Sequence, residues 1–189
     1  MIVLVGESAS GKSTIQNILV DRFGYKKYPS YTTRPKRENE VNGKDYFFVS
    51  DEQFTKKEKD EGFIETAQYY KWYYGTPVEA LKEDAVLVLT PKGFRQVKRI
   101  ADEMQDNLFS LHSFYIYVPR RDRLVKMLSR KVHGGREDDI EEAYRRNISD
   151  IGMFDGIAEE VDYVVDNIEY EHFPADMAKR IIDMMGDTQ

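Results

Sequence analysis

Met1-Ile2-Val3-Leu4-Val5-Gly6-Glu7-Ser8-Ala9-Ser10-Gly11-Lys12-Ser13-Thr14 opens the chain, and its reading decides the fold. Residues 1–5 are a short apolar run, β-branched at Ile2, Val3 and Val5, as a buried strand requires. Gly6 to Ser13 fits the spacing G-x-x-x-x-G-K-[ST]. From 13 to 23, Ile15, Ile18, Leu19 and Phe23 recur at helical spacing and are expected on one inward face. This is strand, glycine turn, helix. In that context Gly6 and Gly11 allow backbone approaches a Cβ would block, and the loop amides turn inward as an anion nest. The helix adds its positive end. Lys12 is placed to reach the β- and γ-phosphates of a nucleoside triphosphate, and the Ser13 hydroxyl to ligate Mg²⁺. A chance match to this spacing is expected on the order of once per hundred chains of such length. The loop specifies a triphosphate site over residues 6–14 and leaves the acceptor open.

Outward from the loop, apolar runs alternate with helical patterns. Strands are expected at 25–28, 46–49, 85–89, 114–118 and 163–165, and two more within 63–76 joined by a turn near Lys71. Helices are expected at 92–104, 121–131, 139–154 and 175–185, with shorter ones from an Asp51 cap to Gly62 and at 77–82. Such alternation implies an α/β fold: three layers, with a mostly parallel sheet and helices on both faces. Residues 30–76 break the alternation and are read as a small mixed-β insert. Residues 126–154, with the break His133-Gly134-Gly135, are read as a lid. The remaining 1–29, 77–125 and 155–189 form the expected core of a single domain.

Composition excludes several functions. The 189 residues contain no cysteine, which removes disulfides, thiolate metal sites and a cysteine nucleophile and fits a reducing, cytoplasmic setting. The net charge of −6 argues against nucleic-acid binding through a basic surface. No apolar run is long enough to span a membrane, and residues 1–5 are too short for a signal segment. His112, His133 and His172 are scattered and suggest no metal cluster. An acidic chain that handles phosphate must gather its cations locally.

They gather in Thr32-Thr33-Arg34-Pro35-Lys36-Arg37. Two guanidinium forks beside a stiffening proline could hold a dianionic monophosphate, helped by the Tyr46 hydroxyl, although charge alone favours a solvated basic loop. Phe63-Ile64-Glu65-Thr66-Ala67-Gln68 sets a glutamate on an apolar strand. A guanine edge offers two N–H donors to one carboxylate, and adenine offers no such pair. Taken alone, Glu65 reads equally as an edge-strand residue in water.

Four segments together resemble the guanylate kinase family: Gly6-Glu7-Ser8-Ala9-Ser10-Gly11-Lys12-Ser13-Thr14, the stretch from Thr32 to Tyr46, Phe63 to Gln68, and Tyr73-Tyr74-Gly75-Thr76-Pro77. They fall in the family's order and nearly its spacing, over the first 80 or so residues. The resemblance implies transfer of the γ-phosphoryl group of ATP to GMP, with dGMP as a further acceptor and Mg²⁺ accompanying ATP. It implies that Ser30, Glu65 and Thr76 contact guanine and that Arg34, Arg37, Tyr46 and Tyr74 hold the monophosphate. Lid arginines are implied as well, with Arg136 and one of Arg145 and Arg146, here Arg146, as candidates beside Lys12 and Arg34. Only small-molecule nucleotides are expected as partners, on a monomer or homodimer. The chain departs from the family at Thr90, where an aspartate is expected. That departure keeps open a related kinase with a different phosphorylated acceptor; a catalytically impaired binding domain, known among guanylate-kinase-like domains, is the other reading, and the intact loop through Lys12 and Ser13 argues against it.

Overall fold

The computed structural model describes residues 1–36, 38, 40–69, 71–103, 109–129, 137–167 and 174–186. Its main sheet has four parallel strands in the order β6-β1-β7-β8. These are β1 (Ile2–Val5), β6 (Val86–Leu89), β7 (His112–Tyr117) and β8 (Tyr163–Asp166). β1 lies between β6 and β7, with Val5 level with Leu89 and Tyr115. All four β1 side chains are fully buried. Their alternation divides the core into two clusters, one on each face.

Ile2 and Leu4 face α1 (Lys12–Phe23) and α7 (Pro174–Gly186), through Ile15 and Leu19 and through Met177, Ala178 and Ile181. Met1, Val3 and Val5 face the other way. They meet α3 (Pro91–Glu103) through Phe94 and Val97, and α6 (Ile157–Glu160) through Ile157. The period-2 pattern of a two-sided strand thus produces the three-layer α/β arrangement anticipated from sequence. Met184 and Met185 pack on the α7 side, as core residues.

The second sheet has the order β3-β2-β5-β4 and is mixed. β2 (Tyr31–Thr32) runs parallel to β3 (Phe47–Phe48) and antiparallel to β5 (Trp72–Pro77), which pairs antiparallel with β4 (Phe63–Tyr69). Aromatic rings hold it together: Phe54 of α2 (Asp51–Lys59) stacks on Phe63 at 4.7 Å, and Tyr31 stacks on Phe47 at the same distance. β4 packs against α3, which brings this sheet to the end of β6. The remaining helices, α4 (Arg120–Ser129) and α5 (Glu137–Ser149), pack on each other.

Several local expectations are corrected. Residues 25–28 form no strand; Lys26 makes one isolated bridge to Ala85. Phe23 is not inward but 36% exposed, because α1 ends there and Gln16 takes an inner position, donating to the Val86 carbonyl at 2.8 Å. The cap of α2 is Ser50, one residue before Asp51, in a reciprocal capping box with Gln53. Residues 77–82 give only a single 3₁₀ turn at Val78–Ala80. The long helix expected at 139–154 ends at Ser149, and a run of turns carries Phe154 into the core. Arg37, His133, Arg136 and His172 lie outside the described residues.

Candidate active site

The phosphate loop follows β1 directly, at the carboxyl end of the parallel sheet, where α/β proteins bind ligands. A Cβ on Gly6 would sit 2.6 Å from the Ile116 carbonyl oxygen, so only glycine lets the loop leave the sheet here. Gly11 is left-handed at φ 98 and stands at the N-cap of α1, with no side chain capping the helix. The Thr14 and Ile15 amides turn back onto the Gly11 carbonyl at 3.0 Å, and the positive end of α1 points at the loop. Ala9 is left-handed too, at φ 66, a conformation that costs a non-glycine residue about 1–2 kcal/mol. Backbone strain of this kind concentrates at ligand cradles. Lys12 folds over the loop and donates from Nζ to the Glu7 carbonyl at 2.7 Å and to Ser10 Oγ at 3.2 Å. Ser13 is exposed on the first turn of α1. Asn167, after β8, closes the loop from below by donating to the Ser10 carbonyl at 3.1 Å. Sequence reading did not single out Asn167, and an asparagine ending a strand offers no signal for it.

On the second sheet, Arg34 donates to Glu40 Oε1 at 2.6 Å and to the Pro35 carbonyl at 2.9 Å. Its guanidinium stands 5.6 Å from the ring centroids of both Tyr46 and Phe48. Burial opposes the Arg34 charge, but the hydrogen bond and charge of Glu40 prevail and raise its pKa. Tyr46 packs edge-on to Tyr74 at 5.9 Å. Burial, then the neighbouring Tyr74, raises the Tyr46 pKa, and the charges of Arg34 and Arg146 oppose that rise. Arg34, Tyr46, Tyr74 and Arg146 therefore share one electrostatic neighbourhood, although Arg146 is on α5, Tyr74 on β5, and Arg34 and Tyr46 in the segment between β2 and β3. Arg145 is partly buried beside it on α5.

Glu65 is 7% exposed, which rules out an edge residue in water. Its Oε1 accepts from the Thr76 hydroxyl at 2.7 Å, and its other oxygen faces Gly93 at the start of α3, where a Cβ would come within 3.0 Å. Burial raises its pKa; the Thr76 hydrogen bond and the charge of Lys92 work the other way. Thr90 is explained by local structure. Its hydroxyl accepts from the Gly93 amide at 3.2 Å and its carbonyl from Phe94 at 2.9 Å, so it caps α3 ahead of Pro91. Among the described residues no cluster of three or more histidine, cysteine or acidic side chains could hold a metal ion.

A cavity of about 290 Å³ joins the two halves. Its wall includes Ser13 and Gln16 of α1, Ser30, Tyr46 and Thr76 of the second sheet region, and Leu87, Val88 and Leu89 of β6. Glu40 and Asp45 also line it. Ser13 at the start of α1 and two neighbours of Arg34, Glu40 and Tyr46, thus share one continuous space, while Lys12, Arg34, Glu65 and Tyr74 are not part of its wall.

Comparison with known proteins agrees with this geometry. The guanylate kinase family model matches residues 1–183. The chain belongs to the guanylate kinase family. Guanylate kinase from Anaplasma phagocytophilum has a similar fold, with a TM-score of 0.61 at 24% identity, covering 100% of this chain and 86% of that one. The chain is accordingly an ATP-dependent guanylate kinase, a phosphotransferase that acts on GMP. Among the described residues no helix is long and apolar enough to cross a membrane.

Proposed function

We propose that the cavity between α1 and the second sheet is where the γ-phosphoryl of ATP passes to GMP, or to dGMP, with the residues named above in distinct roles. The observation that carries this reading is the continuity of the space from Ser13 to Ser30, Tyr46 and Thr76. The loop from Gly6 to Thr14 would cradle the ATP phosphates on backbone amides, with Glu7, Ser8, Ala9 and Ser10 contributing main chain. Lys12 would exchange its contacts with Glu7 and Ser10 for the β- and γ-phosphates. Ser30, Glu65 and Thr76 would bind guanine. Glu65 is already desolvated and oriented by Thr76, so it is poised to accept the base's N1–H and 2-amino hydrogens.

Arg34, Tyr46 and Tyr74 would hold the acceptor phosphate, with Arg37 completing the grip. Residues 30–76 act in this scheme as the monophosphate-binding unit and residues 126–154 as the lid. Arg146, partly buried on α5 and with its charge felt at Tyr46, is the described lid arginine that this scheme would set between the two anion sites. With Arg136 it would neutralise the migrating phosphoryl group. The chain supplies position and charge rather than a covalent intermediate.

The donor set fits Mg²⁺ that arrives with ATP. Ser13 offers one exposed hydroxyl, and a small, strongly hydrated cation completes its shell from phosphates and water. Bound there, Mg²⁺ would screen the β- and γ-phosphate charge. The absence of cysteine and the acidic balance suit a cytoplasmic nucleotide enzyme.

A coupled ADP-release assay with GMP, dGMP and AMP tests the reading. GMP should exceed AMP in kcat/KM by at least about a hundredfold, the discrimination expected when the wrong base leaves a buried carboxylate unpaired. Equal rates with GMP and AMP would defeat the assignment of Glu65 to guanine.

A further inference from the structure

Beneath the phosphate loop lies a buried group of charges to which the scheme above gives no role. Asp150, just past the end of α5, accepts the Ser8 amide on Oδ2 at 2.8 Å, across 142 residues of chain. Arg123 of α4 stands 3.7 Å from the same oxygen and 3.5 Å from Glu7 Oε1. It also donates to the Val118 carbonyl at 3.0 Å and to the Ser8 carbonyl at 3.5 Å. The side chains of Arg123, Asp150 and Glu7 are only 6%, 7% and 12% exposed. Tyr115, beside Glu7, has its pKa raised by burial first and by the Glu7 charge second.

Burying three charges is a poor way to gain stability, since apolar residues of the same volume do as well or better. What an ionic network does provide is registry, because its partners must meet in one arrangement. Here the elements placed in register are the phosphate loop, α4 and the end of α5. The Asp150 amide in turn donates to the Arg146 carbonyl at 3.0 Å, so the two residues share a helical turn. The charge of Arg146 is near enough to Tyr46, which lines the cavity, to oppose the rise in the Tyr46 pKa. Contacts run from Ser8 through Asp150 to the main chain of Arg146, whose charge is felt at Tyr46, a residue the reading above gives to the monophosphate.

We propose that Asp150, clamped by Arg123, is a positioning residue that anchors α5 to the phosphate loop and so sets where Arg146 stands between the two anion sites. This rests on the reading of Arg146 as a residue that stabilises the migrating phosphoryl group. Asp150 touches neither substrate and acts through Arg146.

The test is a double-mutant cycle of Asp150→Ala and Arg146→Met, read as kcat and as KM for each substrate. Arg146→Met should lower kcat about a hundredfold or more. Asp150→Ala should lower kcat about tenfold, with KM for GMP within about twofold, and Asp150→Asn should recover part of the loss. The double variant should be no slower than Arg146→Met alone. Additive losses would overturn the proposal, since Asp150 would then act independently of Arg146. Unchanged kcat in Arg146→Met would defeat the reading of Arg146 itself, and with it any residue said to position it. Should Asp150→Ala fail to fold, the cycle is run with Asp150→Asn, and amide hydrogen exchange at Ser8 is followed in the nucleotide-free native protein. Protection of about a hundredfold or more is expected there, and exchange at the rate of an open loop would overturn the anchor.

Discussion

Replacing Glu65 by glutamine should weaken the enzyme's grip on guanine while making the empty protein more stable. The two effects have one origin. Glu65 is 7% exposed, and one of its oxygens accepts from Thr76 at 2.7 Å. Its burial raises its pKa above the ordinary carboxylate value of 4.5. For an acid, a raised folded pKa means that the folded protein binds the proton more tightly than the unfolded chain does. The charge then costs stability above the folded pKa, and the cost disappears once pH falls below the unfolded value. Glutamine carries no charge, so Tm should rise at neutral pH, with the gain fading as the solution is acidified toward pH 4.

Activity moves the other way. In Glu65→Gln, the amide oxygen still accepts from Thr76 and from one guanine N–H, while the amide NH₂ confronts the second donor. One charge-assisted hydrogen bond is lost and a donor is stranded, about 2–3 kcal/mol together. That is about 30–150-fold in kcat/KM for GMP. ATP-analogue binding, measured by calorimetry without GMP, should change less than twofold. A variant that lost Tm, GMP turnover and ATP binding together would refute the reasoning and mark Glu65 as a structural residue.

Three further outcomes are expected. Lys12→Ala should lower kcat by about a thousandfold or more with an unchanged circular dichroism spectrum, and near-normal turnover would contradict the role proposed for Lys12 on the phosphates. Gly93→Ala would set a Cβ about 3 Å from the Glu65 carboxylate. It should therefore raise KM for GMP and leave KM for ATP alone, and steady-state kinetics showing no change would mean that Glu65 has room to retreat. Glu40→Gln removes the charge that orients Arg34, and KM for GMP should rise about tenfold, the effect of one charge-assisted bond; a fall in KM would mean that Glu40 competes with the phosphate instead.

The fold was legible because β1 and the loop after it carry two strong signals in sequence, a β-branched apolar run and a glycine spacing that few chains satisfy by accident. The alternation of strands and helices followed from periodicity. Short elements were harder to read. Residues 25–28 have strand composition, but only Lys26 finds a partner, and composition does not reveal whether a neighbour is present. Ser50 was passed over for Asp51 because both are good caps; only the reciprocal bond with Gln53 decides between them. For the candidate site, residue type was enough to single out Lys12, Arg34 and Glu65, which the fold sets over the loop, against Glu40 and in a buried position beside Thr76. It failed where a role depends on distant contacts. Asp150 and Arg123 look like ordinary helix charges until the fold brings them beneath Ser8.

Thr90 illustrates how a departure from the expected pattern can be structural. A threonine there gives α3 its cap, and Pro91 follows at the first helical position, where its missing N–H does no harm. An acid at 90 would be a helix cap of similar strength, so capping alone does not require threonine. The consequence lies at the neighbouring carboxylate. Glu65 is buried against the start of α3, and a second negative charge there would raise its pKa further. With threonine at 90 and the Lys92 charge nearby, Glu65 is easier to ionise than it would be beside a second acid, and the carboxylate is the form that the proposed reading needs to accept both guanine donors. The same economy of charge recurs across the molecule. In a chain of net charge −6, Lys12 rests on the Glu7 carbonyl, Arg34 on Glu40, and Arg123 between Glu7 and Asp150. Lys12 and Arg34, the cations proposed to meet phosphate, and Arg123, which clamps Asp150, are thus each oriented by the protein's own oxygens.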